Sequence, residues 1–468
     1  MVETLRKNQV RILVIAILLL LFLSASLSMD VEDWLITVLR GLSVGAIVFL
    51  VAAGFSLIFG LMDVLNLAHG ELFMLGAYIG WTIYVRPDTF VDGITPLALL
   101  AAGLVLLPVF YVLAGRFRGG GTAVSLLPWL FLILSLVILY FSFTQWPLAM
   151  WDPEVFQESP STYALALSQG TMQTPDAAVA EGLHPIMLMV GMLLGGILLA
   201  MAVVGLRTMK KTAVTASHIN KTPIILSVVL ILIGVAAFLG NDSLSTWLFS
   251  LNTTTLFFFA MLVATLVGGL IGGLVESTLI RPLYDRPIYQ IMLTLGVSFI
   301  GIELVRAVWG RPEFTMPKPA LFAGTGDGCP ATNLTDLIAN QCSTIMLFEA
   351  RVRTYNEVFV ILVGLFVLIS VWLILKRTRL GMIIRAGVQD SEMVEAMGIN
   401  VRRVFTLVFA LGVGLAALGG VLAAPSIGLS NSMGARYLLM ALIALAIGGL
   451  TSYPGAAAGA VLVGLLQQ

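Results

Sequence analysis

Apolar residues occur along this chain in uninterrupted blocks of about twenty, and short polar segments separate the blocks. An amphipathic helix of a soluble protein would instead repeat its apolar positions every three or four residues. The pattern therefore predicts an all-α polytopic membrane protein with about thirteen transmembrane helices. These helices are expected near residues 11–29, 35–60, 71–86, 96–115, 125–143, 185–206, 223–240, 254–280, 288–309, 357–375, 404–424, 436–450 and 455–466.

One polar segment interrupts this pattern where the second and third blocks meet. Asp63, Asn66, His69 and Glu71 lie there, between two apolar stretches, 41–59 and 72–85, that hold no charged residue. Ionisable and amide side chains are costly in hydrocarbon, and they persist where they line a cavity or contact other protein. The segment therefore predicts a discontinuous helix near residues 61–71, and our hypothesis is that it lies on a transport path.

The polar side chains of this break have two compatible interpretations. They line a cavity through which a solute passes, or they satisfy backbone groups that the interrupted helix exposes. Catalysis by His69 and Glu71 as acid and base is a weaker hypothesis, because no nucleophile or metal ligand set accompanies them. The residues assigned to a translocation path are Asn66, His69, Gly70, Glu71 and Met74.

Lys and Arg in the short loops predict the orientation, because cytoplasmic loops carry more of them. The basic loops near 116–118, 207–221, 281–286 and 376–403 are assigned to the inside. The loop at 311–355 also holds basic residues, but at about forty-five residues it is near the length at which the charge rule loses force. It is assigned to the outside.

Both cysteines of the chain, Cys329 and Cys342, lie in this external loop. A loop that faces an oxidising compartment favours a disulfide between them, and two free thiols are the alternative. A metal site is not expected there, since no His lies near either cysteine.

Glu276 lies five residues before Arg281, in the last turns of a predicted span. A carboxylate at that depth, close to an arginine, more often forms an interfacial ion pair than a binding site. We therefore predict an ion pair between the two side chains.

The internal segment 376–403 is the most charged part of the chain and predicts a short exposed helix. Asp390 and Ser391 can cap its start, and Gly398 can end it. Several apolar residues give the helix one side that could dock on a cytosolic partner. The alternative is a helix that lies on the lipid surface, which its acidic first turn disfavours.

Composition narrows the function. The chain has 468 residues, 59% of them hydrophobic and 11% charged, with a net charge of zero. Neutral net charge gives no reason to expect nucleic acid as a partner. No phosphate-binding loop of the form GxxxxGK[ST] occurs, and the membrane-embedded series of carboxylates and histidines typical of proton pumps is absent from the sequence. We expect no enzymatic activity, no cofactor and no metal.

Several motifs, taken together, resemble the permease subunits of branched-chain amino acid ABC importers. The resemblance covers about residues 34–86, 254–310 and 356–468. It rests on Asn66-Leu67-Ala68-His69-Gly70-Glu71, Met74-Leu75-Gly76-Ala77-Tyr78, Glu276 with Arg281-Pro282-Leu283, the segment from Thr378-Arg379-Leu380-Gly381 to Met397-Gly398-Ile399-Asn400, Gly419-Gly420-Val421-Leu422, Gly448-Gly449-Leu450 and Pro454-Gly455-Ala456.

This resemblance implies a heteromeric importer in the lipid of a bacterial inner membrane. Its implied partners are a second permease subunit, two ABC ATPase subunits and an external solute-binding protein. Family members carry leucine, isoleucine and valine, and relatives carry urea or amides. The residues that the resemblance assigns to coupling with the ATPases are Gly381, Arg385, Asp390, Glu392, Glu395 and Gly398. An ATP-independent secondary transporter or channel is the alternative.

The family pattern divides the chain into four regions. An extra N-terminal helix would occupy 1–33; it is expected to be uncleaved, because Met29-Asp30 offers no small-residue cleavage site. The permease core would follow at 34–86 and resume at 254–468. An inserted membrane segment of four helices would occupy 87–253, and its even number of spans would return the chain to the same side. The family continues with one further span and a cytosolic tail beyond the position of Gln468.

Overall fold

In a computed structural model of the chain, the residues described are 24, 29–116, 122–146, 183–210, 221–284, 286–310, 313, 315–389 and 391–468. The first predicted span, at 11–29, falls almost entirely outside them, as does Asp390.

Helices account for most of the described residues. In chain order they are α1 (Val31–Met62), α2 (His69–Val85), α3 (Pro87–Val105), α4 (Leu107–Arg116), α5 (Thr122–Thr144), α6 (Pro185–Lys210), α7 (Thr222–Leu239), α8 (Asn241–Ser250), α9 (Thr253–Val275), α10 (Pro287–Trp309), α11 (Leu334–Asn340), α12 (Val360–Arg377), α13 (Arg379–Gln389), α14 (Ser391–Ala396), α15 (Val401–Ile427), α16 (Met433–Gly448) and α17 (Tyr453–Leu466). Single turns of π-helix extend α9 at Glu276–Ile280 and precede α12 at Thr354–Phe359, and short 3₁₀ turns lie at Arg281–Leu283 and Ala320–Phe322.

The spans confirm an all-α polytopic membrane protein. Nine helices of the described residues are long and apolar enough to cross a membrane, and α16 with α17 adds a tenth as a pair bent by 118°. The predicted count of about thirteen differs for identifiable reasons. Its first span lies outside the described residues, α2 has only 17 residues, and two predicted spans form the bent pair.

The chain divides into two compact units. Unit 1 comprises Met1–Trp81 and Thr253–Gln468, and unit 2 comprises Thr82–Asn252.

Unit 2 has its own apolar core and a buried hydrogen bond within it. Leu99, Trp146, Leu188 and Met192 are buried against one another. The indole nitrogen of Trp146 donates to the backbone oxygen of Asp92, at 3.1 Å. Buried hydrogen bonds of this kind hold the helices of unit 2 in register.

In unit 1 the helices cross at very short distances. A β-carbon added at Gly54 of α1 would lie 2.2 Å from the carbonyl oxygen of Gly412 on α15. A β-carbon added at Gly464 of α17 would lie 2.2 Å from the carbonyl oxygen of Gly41 on α1. Small residues allow backbones in a membrane to approach closely. Here they pack α15 and α17 directly against α1.

Residues 315–353 form a small ordered layer within unit 1. Strands β1 (Thr344–Leu347) and β2 (Ala350–Arg353) pair as an antiparallel hairpin. Cys329 and Cys342 form a disulfide, with their α-carbons 5.5 Å apart. The buried side of this layer contacts apolar residues in the first turns of α1. The layer therefore packs on the start of α1.

We predict that Gly54→Ala lowers the free energy of unfolding by about 1–3 kcal/mol, because its methyl group would overlap the backbone of α15. The thermal unfolding midpoint in detergent measures the loss. Gly93→Ala in α3 is the matched control, since nothing lies within 4 Å of a β-carbon added there. The control should keep or raise the midpoint, because alanine favours a helix. Equal midpoints for the two variants would contradict the close crossing.

Candidate functional site

The predicted break lies between α1 and α2. Helix α1 ends at Met62, and Asp63 adopts a left-handed conformation with φ 53°. Inside the break, the side-chain oxygen of Asn66 accepts a hydrogen bond from the amide of Ala68, at 3.2 Å. The backbone oxygen of Asn66 accepts another from the amide of His69, also at 3.2 Å. Asn66 therefore satisfies amides that the interrupted helix exposes.

His69 joins the start of α2 to the middle of α1. It is fully buried, and its Nε2 lies 3.1 Å from the backbone oxygen of Val51. A carbonyl can only accept, so Nε2 carries the proton and donates it. The edge of the ring also contacts Phe55, with centroids 5.8 Å apart. His69 thus clamps the two halves of the broken helix together.

This clamp sets the depth at which α2 begins. Val51 precedes Met62 by eleven residues, which is about 16 Å along a helix. The chain therefore turns back after Met62 and starts α2 beside the middle of α1 rather than beside its end. A helix that starts within the membrane places its amino terminus, with unpaired amides and a partial positive charge, at that depth.

Glu71 projects toward other helices than His69 does. It is buried, and its Oε1 accepts a hydrogen bond from Ser298 of α10, at 3.1 Å. A β-carbon added at Gly434 of α16 would lie 2.5 Å from Oε2 of Glu71. The structure therefore does not bring His69 and Glu71 together as one site.

Three polar atoms of the break are buried with no hydrogen-bond partner in the described part of the chain. They are Nδ2 of Asn66, Nδ1 of His69 and Oε2 of Glu71. An unpaired buried polar group costs about 1–3 kcal/mol, so such groups are few in native proteins. Their concentration within six residues marks this segment as more than a connection between helices.

The remaining two predicted path residues pack tightly. Gly70 lies against α16, since an added β-carbon would be 2.3 Å from the carbonyl oxygen of Gly434. Met74 is fully buried. Neither residue has space beside it in this conformation.

Two polar residues of α10 that sequence reasoning missed also face the break. Thr294 donates to the backbone oxygen of Leu65 at 3.4 Å, and Ser298 donates to Glu71. With Gln290, they repeat every four residues along an otherwise apolar span. That spacing places them on one helix face, and it is the signal that could have identified them.

A second break lies between α16 and α17. The hydroxyl of Ser56 in α1 donates to the backbone oxygen of Leu450, at 3.0 Å. A β-carbon added at Gly60 would lie 3.3 Å from the α-carbon of Thr451, which belongs to the same break. The sequence predicts two separate spans here, because the bend of 118° between them leaves no local signal in the pattern of apolar residues. Both breaks therefore lie against the last turns of α1.

Glu276 and Arg281 form a two-pronged ion pair. Nη2 and Nε of Arg281 lie 2.9 Å and 3.2 Å from the two carboxylate oxygens. Glu276 is fully buried, and Tyr284 also donates to it. Arg281 further donates to Thr406 of α15. The group therefore links the end of α9 to the start of α15.

The predicted coupling segment forms two helices, α13 and α14. Gly381 permits the tight turn after α12, because an added β-carbon would lie 2.2 Å from the carbonyl oxygen of Leu375. Arg385 and Glu395 are exposed. Gly398 ends α14 with φ 82°, a conformation that favours glycine. The backbone of Glu392 lies in α14, and Asp390 falls outside the described residues.

The coupling segment packs directly on the helix that ends at the break. Ile384 of α13 is buried against Leu57 of α1 and Val408 of α15. Leu61, the residue before the last one of α1, lies at the edge of the same cluster. Helix α13 therefore contacts the final turns of α1.

A family model described as the permease component of branched-chain amino acid transport systems matches residues 190–468. The match includes the second break, the Glu276 group and the coupling segment, and it begins after the first break. No solved structure matches the chain.

Curated relatives are permeases of the same kind of system. The high-affinity branched-chain amino acid transport system permease protein BraD of Pseudomonas aeruginosa is 32% identical over 117 residues, which are 25% of this chain and 38% of BraD. The corresponding protein LivH of Escherichia coli K12 is 31% identical over 121 residues, 26% of this chain and 39% of LivH. The matched region thus spans less than half the length of these relatives.

We predict that Glu276→Ala lowers the free energy of unfolding by about 3 kcal/mol, because it leaves Arg281 and Tyr284 without their shared acceptor. Chemical denaturation in detergent measures the difference. Glu349→Ala is the matched control, since Glu349 is exposed at the tip of the external hairpin, where a substitution costs less than about 0.5 kcal/mol. A loss no larger than that of the control would show that the ion pair adds nothing to stability.

Proposed function

Because the chain belongs to the family of branched-chain amino acid transport system permease components, we propose that it is the permease subunit of an ATP-driven importer. Its solutes are branched-chain amino acids or similar small polar molecules. The observation that carries the proposal is the packing of the coupling helix α13 on α1, immediately before the first break. That contact is a mechanical route from the cytosolic surface to the middle of the membrane.

The proposed mechanism is alternating access. Solute delivered on the outside enters between this chain and a second permease, and ATP hydrolysis on two separate ATPase subunits moves α13 and α14. Packed clusters move between discrete arrangements rather than deforming continuously. A shift of Ile384 would therefore displace Leu57, and with it the end of α1 and the break that follows.

Within the break, we assign different roles to His69 and Glu71. His69 is a clamp, because it is buried between α1 and α2 and donates to Val51. Glu71 is a path residue, because it faces the exposed helix α10 and keeps one carboxylate oxygen unpaired among the described residues. Thr294 and Ser298 would extend the path along α10.

The exposed surface of the coupling segment fits a protein partner. Met382, Met393 and Met397 expose 59%, 64% and 72% of their surfaces on α13, on α14 and just after it. Flexible methionines adapt to the surface of a binding partner. We propose that these residues, together with Arg385 and Glu395, contact the ATPase subunits. An external solute-binding protein would supply the solute.

Unit 2 is proposed to be an insertion into the permease core. The chain leaves unit 1 at Trp81 and returns to it at Thr253. Unit 2 also has its own buried core, which allows it to be added without rearranging the helices of unit 1.

Transport should require the ATPases. Proteoliposomes that contain this chain, the second permease, both ATPase subunits and the binding protein are expected to take up radiolabelled leucine only with ATP. Uptake by the purified chain alone under an ion gradient would refute the proposal and favour a secondary transporter. Omitting only the ATPases from the same preparation is the control.

Reversing the charge at Glu395 should uncouple the ATPases from the solute. Glu395→Arg is expected to reduce solute-stimulated ATP hydrolysis about tenfold, because like charges or unmatched charges at a docking surface cost about 1.4 kcal/mol or more. Glu349→Arg, on the opposite side of the membrane, is the matched control and should leave stimulation unchanged. If the two variants behave alike while the complex still assembles, α14 does not couple to the ATPases.

A further inference from the structure

Helix α10 is the most exposed candidate span in the described part of the chain. Yet it covers the break, where Asn66, His69 and Glu71 are buried. Its contacts there are the hydrogen bonds from Thr294 and Ser298 and the close approach of Gly301 to Glu71. Helix α10 alone therefore separates the buried carboxylate of Glu71 from the surroundings of its opposite face.

The outer face of α10 carries charge. Glu303 and Arg306 form an ion pair at 2.6 Å, and their side chains are 68% and 39% exposed. Glu303 precedes the end of the helix at Trp309 by six residues, or about 9 Å. Charged side chains within membrane spans almost always face protein or a water-filled cavity rather than lipid.

At its centre, the same face is exposed and carries a glycine, so no side chain projects there. Gly296 lies one turn before Phe299 and two turns before Glu303, so the three residues share a face. Nothing lies within 4 Å of a β-carbon added at Gly296. A small residue on an exposed helix face allows a second helix to approach closely.

Helix α9 has the exposed face expected of a helix that contacts lipid. From its second turn onward, the exposed residues repeat every four positions and are apolar: Phe258, Leu262, Leu266, Leu270 and Leu274. No charged residue and no ion pair interrupts that row. The two helices therefore differ in the chemistry of their exposed faces, although both are long and apolar enough to cross a membrane.

We propose that the face of α10 formed by Met292, Gly296, Phe299 and Glu303 is the surface that contacts the second permease. This inference rests on the proposed function, since it requires a second permease. It places the contact on the face of α10 opposite Thr294, Ser298 and Glu71, so this one helix lies between the proposed path residues and the second permease. The partner presents polar or charged groups to Glu303 and Arg306, and a helix that packs on Gly296.

Site-specific photo-crosslinking in the assembled importer tests the surface. p-Benzoylphenylalanine in place of Phe299 is expected to give a covalent adduct with the second permease, identified by mass spectrometry. The same amino acid in place of Phe258 on α9 is the matched control and should give at least about tenfold less adduct with any subunit, since lipid surrounds that face. Equal amounts of second-permease adduct from both positions would overturn the proposal, as would an adduct of Phe299 with another copy of this chain.

A second variant tests the close approach without disturbing the fold of this chain. Gly296→Leu is expected to reduce the second permease that co-purifies with this chain about tenfold, because the added side chain would overfill the contact. Gly93→Leu, at the open glycine of α3, is the control and should not change co-purification. Unchanged co-purification in Gly296→Leu would overturn the proposal.

The readouts separate this inference from the proposed function. A second permease and ATPases that co-purify with the unmodified chain support the importer, whatever position 299 contacts. An importer that assembles but yields only lipid adducts at position 299 would overturn the surface on α10 alone. Failure of the unmodified chain to bind any second permease would overturn both.

Discussion

A helix that begins inside the membrane constrains the rest of unit 1. Backbone groups in hydrocarbon have no water to bind, so an interrupted helix must find its partners within the protein. The break finds them in three directions. Asn66 binds the chain itself, His69 reaches Val51 of α1, and the carbonyl of Leu65 accepts from Thr294 of α10. Each contact is short, so the helices that supply them must lie close.

That closeness depends on glycine. Gly54, Gly412 and Gly434 leave their backbones in contact with neighbouring helices where any side chain would intrude. The same crossings bring α15 beside α1, and these two helices contribute to two apolar clusters. One cluster holds the break against the π-helical turn at Glu276–Ile280, and the other holds α13. Because α1 and α15 belong to both clusters, neither cluster can repack alone.

The buried polar side chains of unit 1 also depend on partners within the protein. The buried carboxylates of Glu276 and Glu71 differ in their hydrogen bonds. That of Glu276 is paired by Arg281 and Tyr284, whereas that of Glu71 keeps an unpaired oxygen next to α10. Paired groups stabilise one arrangement, whereas an unpaired one is stable only if neighbouring contacts hold it. Glu276 therefore stabilises the contact between α9 and α15, whereas the unpaired oxygen of Glu71 indicates a role other than stability.

The sequence by itself determined the membrane class, the place of the first break and the short helix that ends before Gly398, because each is a local property of composition or spacing. It also placed Glu276 and Arg281 one helical turn and a half apart, near enough to meet. Only the tertiary structure decided that His69 and Glu71 face different helices, that Thr294 and Ser298 join the break, and that α16 and α17 bend into a second one. In a membrane, faces toward lipid and faces toward protein are both apolar, so hydrophobic periodicity carries little information about direction. Which neighbour a side chain meets depends on helix crossings between distant parts of the chain, and these are set by packing rather than by local pattern.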